Sequence, residues 1–221
     1  MAQHYQVHPE TPQQREIDRV CDNLRRGKIA LYPTDTVPAI GCDMTSPQAV
    51  KRVRQIKRLS NDKPLTFLCS SLSNISDYAV VSDEAYRLMR QLIPGPYTFV
   101  LPATKLVPRI VMDPRRKTTG IRVPDNAICQ SLLQTLGNPV ISTSAHISDA
   151  SSAPKWDEMG EEVDPSSARL WDQFDGIVDL VVDDKRDEFS TDVSTVVDLT
   201  THKPNLLRKG IDWETVADLL F

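Results

Sequence analysis

Small hydroxylated residues cluster at the ends of several predicted strands, where they could surround an anionic ligand. They occur in four segments, namely Tyr32–Thr36, Thr98, Ser142–Ala145 and Ser194–Thr195. Serine and threonine hydroxyls, together with exposed backbone N–H groups, donate hydrogen bonds to phosphate and carboxylate oxygens. Ligands of open α/β sheets bind beyond the carboxyl ends of strands, so the first and third segments lie where a site is expected. Each segment taken alone also fits an ordinary turn or a helix cap.

A second feature with chemical potential is a group of cations between residues 51 and 63. Lys57 and Arg58 stand at the C-terminal end of a predicted helix, and Lys63 lies in the loop that follows it. Three cations around one loop would form a phosphate clamp. The chain contains neither GxxxxGKS/T nor GxGxxG, so the clamp is not a P-loop. The cations nearer the start of the helix fit a solvated basic face.

Two further residues beside these segments have side chains suited to a site. Arg122 lies in an apolar strand, where an unpaired guanidinium is costly, so it needs an anionic partner in a ligand or in an internal carboxylate. His146 directly follows the hydroxylated segment 142–145 and could act as a general acid or base, or lie at the surface.

Constellations for covalent catalysis are absent from the sequence. No GxSxG surrounds a serine, and no cysteine has an adjacent histidine. Any catalysis here is therefore expected to rest on positioning and electrostatics, as in phosphoryl and nucleotidyl transfer.

Alternating helices and strands must position these residues. Helices are predicted after the caps Thr11, Ser46 and Ser82, and over residues 127–136 and 213–220. Strands are predicted at 28–32, 65–69, 97–101, 120–123, 139–142, 177–182, 193–199 and 205–207. This alternation is typical of an α/β fold with a mixed sheet. The interval 150–168, rich in serine, proline and acids, is predicted to be an exposed loop.

Composition limits the class of protein. The 221 residues are enough for one catalytic domain, and the sequence has no apolar run long enough to span a bilayer and no recognisable export signal. We therefore expect a cytoplasmic protein with no membrane partner. The four cysteines are widely separated, which favours reduced, partly buried thiols. The net charge is −4, yet residues 147–192 carry 14 acids and 4 bases, so the rest of the chain is basic.

Several segments match known motifs in order along residues 10–211. They are YPTDTVPAIGCD, NDKPLTF, PGPYTFVL, GIRVPDN, PVISTSAH, STVVDL and LLRKG. Together they resemble the motifs of the YrdC/YciO family of threonylcarbamoyl-adenylate synthases. The resemblance implies a single YrdC-like domain over residues 1–221, with its core at about 10–211 and an acidic loop or flap at about 147–192. It further implies an α/β fold in which a twisted mixed sheet and surrounding helices form a large positively lined cavity.

The resemblance also implies a nucleotidyltransferase activity. Such an enzyme makes threonylcarbamoyl-AMP and pyrophosphate from L-threonine, bicarbonate and ATP, and the product serves tRNA threonylcarbamoyladenosine modification. ATP with Mg²⁺ would be a substrate, and no tightly bound cofactor is expected. By motif position, Lys57 and Thr34 would be catalytic. Residues implied to bind substrate are Thr34, Thr36, Arg58, Lys63, Arg122, Ser142, Ser144, His146, Ser194 and Arg208.

Three positions depart from the family pattern and make the chain more similar to the YciO branch. Pro38 replaces a tyrosine, His146 replaces an asparagine, and Leu59 stands where an arginine is expected. Two alternatives therefore stay open. One is a non-catalytic protein that binds tRNA or double-stranded RNA through the basic rim of the cavity, and the other is a relative that acts on another carbamoylated nucleotide.

Overall fold

The computed structural model describes residues 1–59, 64–145 and 167–220. In these ranges the helices are α1 (Gln14–Arg25), α2 (Pro47–Ile56), α3 (Leu72–Tyr78), α4 (Asp83–Leu92), α5 (Ala127–Leu136), α6 (Ser167–Phe174) and α7 (Trp213–Leu220). The strands are β1 (Gln3–Gln6), β2 (Ala30–Tyr32), β3 (Ala39–Asp43), β4 (Thr66–Leu68), β5 (Tyr97–Pro102), β6 (Thr118–Arg122), β7 (Val140–Ser144), β8 (Leu180–Asp183), β9 (Thr195–Asp198) and β10 (Asn205–Arg208).

These strands form one mixed sheet in the order β1-β8-β2-β3-β7-β4-β6-β5-β9-β10. The pairs β1–β8, β2–β8, β4–β6 and β5–β9 are parallel. The pairs β2–β3, β3–β7, β4–β7, β5–β6 and β9–β10 are antiparallel. The mixed α/β sheet expected from the alternating elements is therefore confirmed.

One face of the central strands is buried in the larger core. Phe67, Ile121 and Phe99 lie side by side in register across β4, β6 and β5. They belong to the same buried cluster as Val53 of α2 and Met89 of α4. Because side chains alternate along a strand, the residues between these aromatic and aliphatic positions face the opposite side.

A second core lies on that opposite side, at the other half of the sheet. Helices α1 and α5 pack there against β1, β8 and β2, and contribute Ile17, Leu24 and Leu132 among other buried residues. The buried cluster reaches Val140 of β7 and Leu68 of β4 and includes no residue of β5, β6 or β9. This side of the latter strands is therefore the place where the described chain leaves room for a cavity.

The helix caps predicted at Ser46 and Ser82 are confirmed. Each serine Oγ accepts a hydrogen bond from the backbone N–H three residues on, at 3.4 Å and 3.2 Å. The cap predicted at Thr11 is wrong, since α1 begins at Gln14 with Gln13 as its N-cap. The hydroxyl of Thr11 instead contacts His8 Nδ1 at 3.0 Å, which ties it to the preceding loop.

The acidic segment 147–192, predicted to be a loop or flap, contains a helix and a strand in its described part. Its residues 147–166 lie outside the described chain. Residues 167–174 form α6, and the strand predicted at 177–182 is β8, which pairs in parallel with both β1 and β2. The described part of this segment therefore contributes a strand to the interior of the sheet.

All four cysteines are unpaired and buried, more deeply than the partly buried thiols predicted from the sequence. Burial raises the pKa of Cys21, Cys42 and Cys69 to about 12. Burial also raises the pKa of Cys129 above its ordinary value.

We expect the folded protein to resist thiol-specific alkylation at pH 8, because the reactive thiolate is scarce when the pKa lies well above the pH. Mass spectrometry should show unmodified native protein, and modification at every cysteine after unfolding. Rapid labelling of the native chain would contradict this burial.

Candidate functional site

A cavity of about 410 Å³ lies on the uncovered face of β4, β6, β5 and β9. This volume is within the range of small-molecule sites, about 300–1,000 Å³. Its lining residues come from eight parts of the chain and include Thr34, Thr36, Lys57, Leu59, Thr66, Thr98, Gly120, Arg122, Ser142, Ser144, Ser194, Val196 and Arg208. A Cβ added to Gly120 would lie 2.7 Å from Thr66 Oγ1, so a side chain at this position would collide with Thr66.

The turn between β2 and β3 holds two threonine hydroxyls in fixed positions. Thr34 Oγ1 donates to the carbonyl of Val37 at 2.9 Å and accepts from the backbone N–H of Thr36 at 2.9 Å. The two threonine hydroxyls lie 3.1 Å apart. Since the single proton of Thr34 is given to Val37, Thr36 donates in this pair. The turn is thus ordered by its own hydrogen bonds before any ligand binds.

Arg122 is buried and finds its anionic partner within the protein. Its Nη2 donates to Asp35 Oδ1 at 2.5 Å, and its Nη1 donates to Thr36 Oγ1 at 2.8 Å. The backbone N–H of Asp125 donates to the other oxygen of Asp35 at 3.0 Å. Of the two partners left open by the sequence, the internal carboxylate is the one observed. The Nε atom of Arg122 is buried without a hydrogen-bond partner among the described residues.

Lys57 joins the end of α2 to the end of β7. It is the C-cap residue of α2, only 8% of its surface is exposed, and its Nζ donates to the carbonyl of Ser144 at 3.0 Å. Ser142, two residues earlier on β7, pairs in register with Gly41 of β3 and Thr66 of β4. These contacts bring an ammonium group and two serines to the same wall of the cavity.

The opposite wall is built around Ser194. Its hydroxyl lies 2.9 Å from Thr98 Oγ1, which belongs to β5. Arg208 of β10 donates from Nε to the carbonyl of Ser194 and from Nη2 to its hydroxyl, both at 3.0 Å. The pKa of Arg208 is lowered by burial and, to a smaller extent, by the positive charge of Arg122.

The charges that line this cavity favour an anionic ligand. The described lining residues include the cations Lys57, Arg122 and Arg208 and no carboxylate. Asp35 offsets the charge of Arg122, whereas Arg208 has hydrogen bonds only to Ser194 and no ion pair among the described residues. Burial and the neighbouring Arg122 both disfavour the charged form of Arg208. A negatively charged ligand beside Arg208 would offset both effects. The large positively lined cavity expected from the resemblance is confirmed.

Most of the predicted site residues converge on this cavity. Those that line it are Thr34, Thr36, Lys57, Arg122, Ser142, Ser144, Ser194 and Arg208. Arg58 is exposed and is not among the lining residues, so the structure does not bring this predicted ligand into the site. Lys63 and His146 lie outside the described residues, and their roles stay predictions.

Two of the positions that depart from the family pattern, Leu59 and Pro38, line different cavities. Leu59 lines the cavity, so an apolar side chain occupies part of the wall next to Lys57. Pro38 lines a smaller neighbouring cavity of about 110 Å³ instead. Asp35 was missed as a site residue, although its position between two candidate threonines was the signal that could have identified it.

Two kinds of feature are absent from the described ranges. No group of three or more histidine, cysteine, aspartate or glutamate side chains could hold a metal ion there. No helix in that part of the chain combines the length and apolar character needed to cross a membrane.

Comparison with known proteins agrees with the fold and the motifs. The Sua5/YciO/YrdC family model, described as "Telomere recombination", matches residues 22–210. The chain belongs to the Sua5/YciO/YrdC family. A protein of Haemophilus influenzae described as uncharacterized is 40% identical over 95% of this chain and 96% of its own length.

Solved structures of two relatives match this chain over nearly its whole length. Escherichia coli YciO is 36% identical, and its crystal structure matches with a TM-score of 0.83 over 96% of this chain and 97% of YciO. The crystal structure of Pyrococcus abyssi Sua5 complexed with L-threonine matches with a TM-score of 0.83 at 28% identity, over 98% of this chain and 60% of Sua5. The threonylcarbamoyl-AMP synthase of Pyrococcus abyssi is 30% identical over 85% of this chain and 52% of its own length.

Proposed function

We propose that this protein is a threonylcarbamoyl-AMP synthase, which converts L-threonine, bicarbonate and ATP into threonylcarbamoyl-AMP and pyrophosphate. One observation carries the proposal: Lys57, Arg122 and Arg208 face a hydroxyl-lined cavity with no carboxylate among its described lining residues. Both reacting partners, ATP and a carbamate, are anions that such a cavity would attract and hold together. The relatives named as threonylcarbamoyl-AMP synthases and the threonine-bound Sua5 structure support this choice.

The proposed reaction has two steps. First, the amino group of threonine attacks the carbon derived from bicarbonate, which forms an N-carboxylate and releases water. A carbamate oxygen then attacks the α-phosphorus of ATP, and the bond to the β-phosphate bridging oxygen breaks to release pyrophosphate. Neither step needs an enzyme nucleophile. The protein contributes by holding two anions in contact and by stabilising negative charge as it moves to the leaving pyrophosphate.

Each wall of the cavity receives a part of the substrates in this proposal. Lys57 would donate to phosphate and bicarbonate oxygens, and Arg208 would approach the phosphates from the opposite wall. The other contacts are hydroxyl groups: those of Thr34, Thr36 and Ser194 at the threonine end, and those of Ser142 and Ser144 at the nucleotide. Mg²⁺ would enter bound to the phosphate oxygens of ATP, as is usual for this ion.

Pyrophosphate release tests the proposal. Purified protein with ATP, bicarbonate and L-threonine should release pyrophosphate, and omission of any one of the three substrates should abolish the release. Arg208→Ala is expected to reduce the rate, because one phosphate-facing cation is lost. Pyrophosphate release that does not depend on threonine or bicarbonate would show a different nucleotide reaction. Salt-sensitive binding of double-stranded RNA without pyrophosphate release would favour the non-catalytic alternative.

A further inference from the structure

Arg208 stands on an edge strand of the sheet. Within the described part of the chain β10 pairs with β9 alone, and the register shifts between Leu206 and Arg208. A bulge interrupts the ladder of backbone hydrogen bonds where it occurs. Arg208 itself pairs with Val196 directly after this irregularity, and no strand pairs with the other side of β10 among the described residues. Contacts beyond β10 can therefore help to fix the position at which the Arg208 side chain enters the cavity.

The segment after Arg208 is attached to β9 by a compact set of hydrogen bonds. The backbone N–H of Ile211 donates to the carbonyl of Val193 at 2.9 Å, and that of Gly210 donates to Thr195 Oγ1 at 3.0 Å. Thr195 Oγ1 in turn donates to the carbonyl of Ile211 at 2.8 Å. A Cβ on Gly210 would lie 2.3 Å from the carbonyl oxygen of Val193, so this approach requires glycine.

A side-chain contact attaches the far end of the same segment to β5. The hydroxyl of Tyr97, a residue only 4% exposed, donates to Asp212 Oδ2. Thr215 Oγ1 donates to the other carboxylate oxygen of Asp212 at 2.6 Å. Burial and this bond raise the pKa of Tyr97, while the bonds from Thr215 and Tyr97 lower the pKa of Asp212. The contact therefore stays intact at neutral pH.

β5 thus holds the chain around Arg208 at two points. Thr98 contacts Ser194, the residue to which Arg208 donates, and the adjacent Tyr97 holds Asp212 four residues beyond Arg208. Neither Tyr97 nor Asp212 lines the cavity.

We propose that Tyr97 and Asp212 are positioning residues for Arg208, which fix the 208–212 segment so that the guanidinium reaches the phosphate-binding wall. This inference rests on the proposed nucleotide site for its functional consequence. Its structural part, the attachment of the segment to β5, does not depend on the reaction.

Hydrogen exchange tests the attachment without any substrate. Tyr97→Phe removes one hydroxyl and keeps the ring that packs in the core, so its effect on the amides of residues 205–212 should be local. We expect their exchange to accelerate several-fold, while the amides of α5 exchange as in the wild type. Tyr86→Phe is the matched control, since Tyr86 is 47% exposed. Unchanged exchange over 205–212 in Tyr97→Phe would overturn the inference, whatever the activity.

A double-mutant cycle with Arg208 tests the consequence. In calorimetric titrations with ATP, Tyr97→Phe should weaken binding by about 3- to 10-fold, the order of one hydrogen bond. Asp212→Asn should act in the same direction. In an Arg208→Ala background, Tyr97→Phe should cause no further loss, because the residue acts through Arg208.

The outcomes of these two experiments are distinguishable. Additive losses in the cycle would show that Tyr97 acts through general stability and would overturn the positioning role. A wild-type protein that binds no ATP would refute the proposed function, while the exchange experiment would still decide whether Tyr97 holds the segment.

Discussion

Asp35→Ala is expected to lower the free energy of unfolding by about 3–5 kcal/mol, the cost of leaving one member of a buried ion pair uncompensated. The side chains of Arg122 and Asp35 are only 8% and 11% exposed. Removal of the carboxylate would also leave the N–H of Asp125 without its acceptor and release the guanidinium toward the cavity. Denaturant titration of the two proteins measures the difference.

An exposed ion pair of the same kind provides the control for this variant. The side chains of Asp22 and Arg25 are 60% and 45% exposed, so solvent weakens the attraction between their charges at 3.1 Å. Asp22→Ala should therefore cost less than about 1 kcal/mol. Equal destabilisation by Asp35→Ala and Asp22→Ala would mean that the Arg122–Asp35 pair is not a structural element of the site.

Lys57→Ala is expected to weaken ATP binding by about 1.5–3 kcal/mol, or roughly 10- to 150-fold, the range for a charged hydrogen-bond donor. Lys57 is the buried cation at the end of α2, and it faces the cavity from the wall opposite Arg208. Calorimetric titration with ATP measures the loss. Lys57→Gln serves as a companion variant, because its amide can still donate toward Ser144 without carrying the charge.

Lys51→Ala is the matched control on the same helix. Lys51 is exposed and does not line the cavity, so its removal should change ATP affinity only slightly. Equal losses from Lys51→Ala and Lys57→Ala would indicate a diffuse basic surface instead of a defined phosphate site. If Lys57→Gln binds ATP as the wild type does, the charge of Lys57 has no part in binding.

The most accurately predicted elements are those whose sequence signals lie within the element itself. α5 spans the predicted residues 127–136, because its apolar spacing ends at Gly137, whose φ of 78° closes the helix. β1 was missed because its pattern is almost entirely polar, with Tyr5 as its buried residue. It exists because β8 offers it a parallel edge, and the paired residues of β8 lie 177 positions further along the chain.

The sequence identified the segments that form the site, but it did not identify the contacts between them. Motif order identified the hydroxyls and cations that meet in the cavity, but the partner of Arg122 lies 87 positions away and no local pattern encodes it. Arg58 was expected beside Lys57, yet successive side chains on a helix point about 100° apart. Its positive φ of 48° marks the turn that ends α2, and its side chain is exposed.

The most direct measurement of the central claim is isotope transfer from bicarbonate. Wild-type protein incubated with ATP, L-threonine and ¹³C-bicarbonate should form an adenylate whose mass, by mass spectrometry, exceeds that of the unlabelled product by one unit. The label is retained because the carbamoyl carbon comes from bicarbonate, and pyrophosphate should appear in equal amount. ATP binding with no labelled adenylate and no pyrophosphate would contradict the proposed synthase activity.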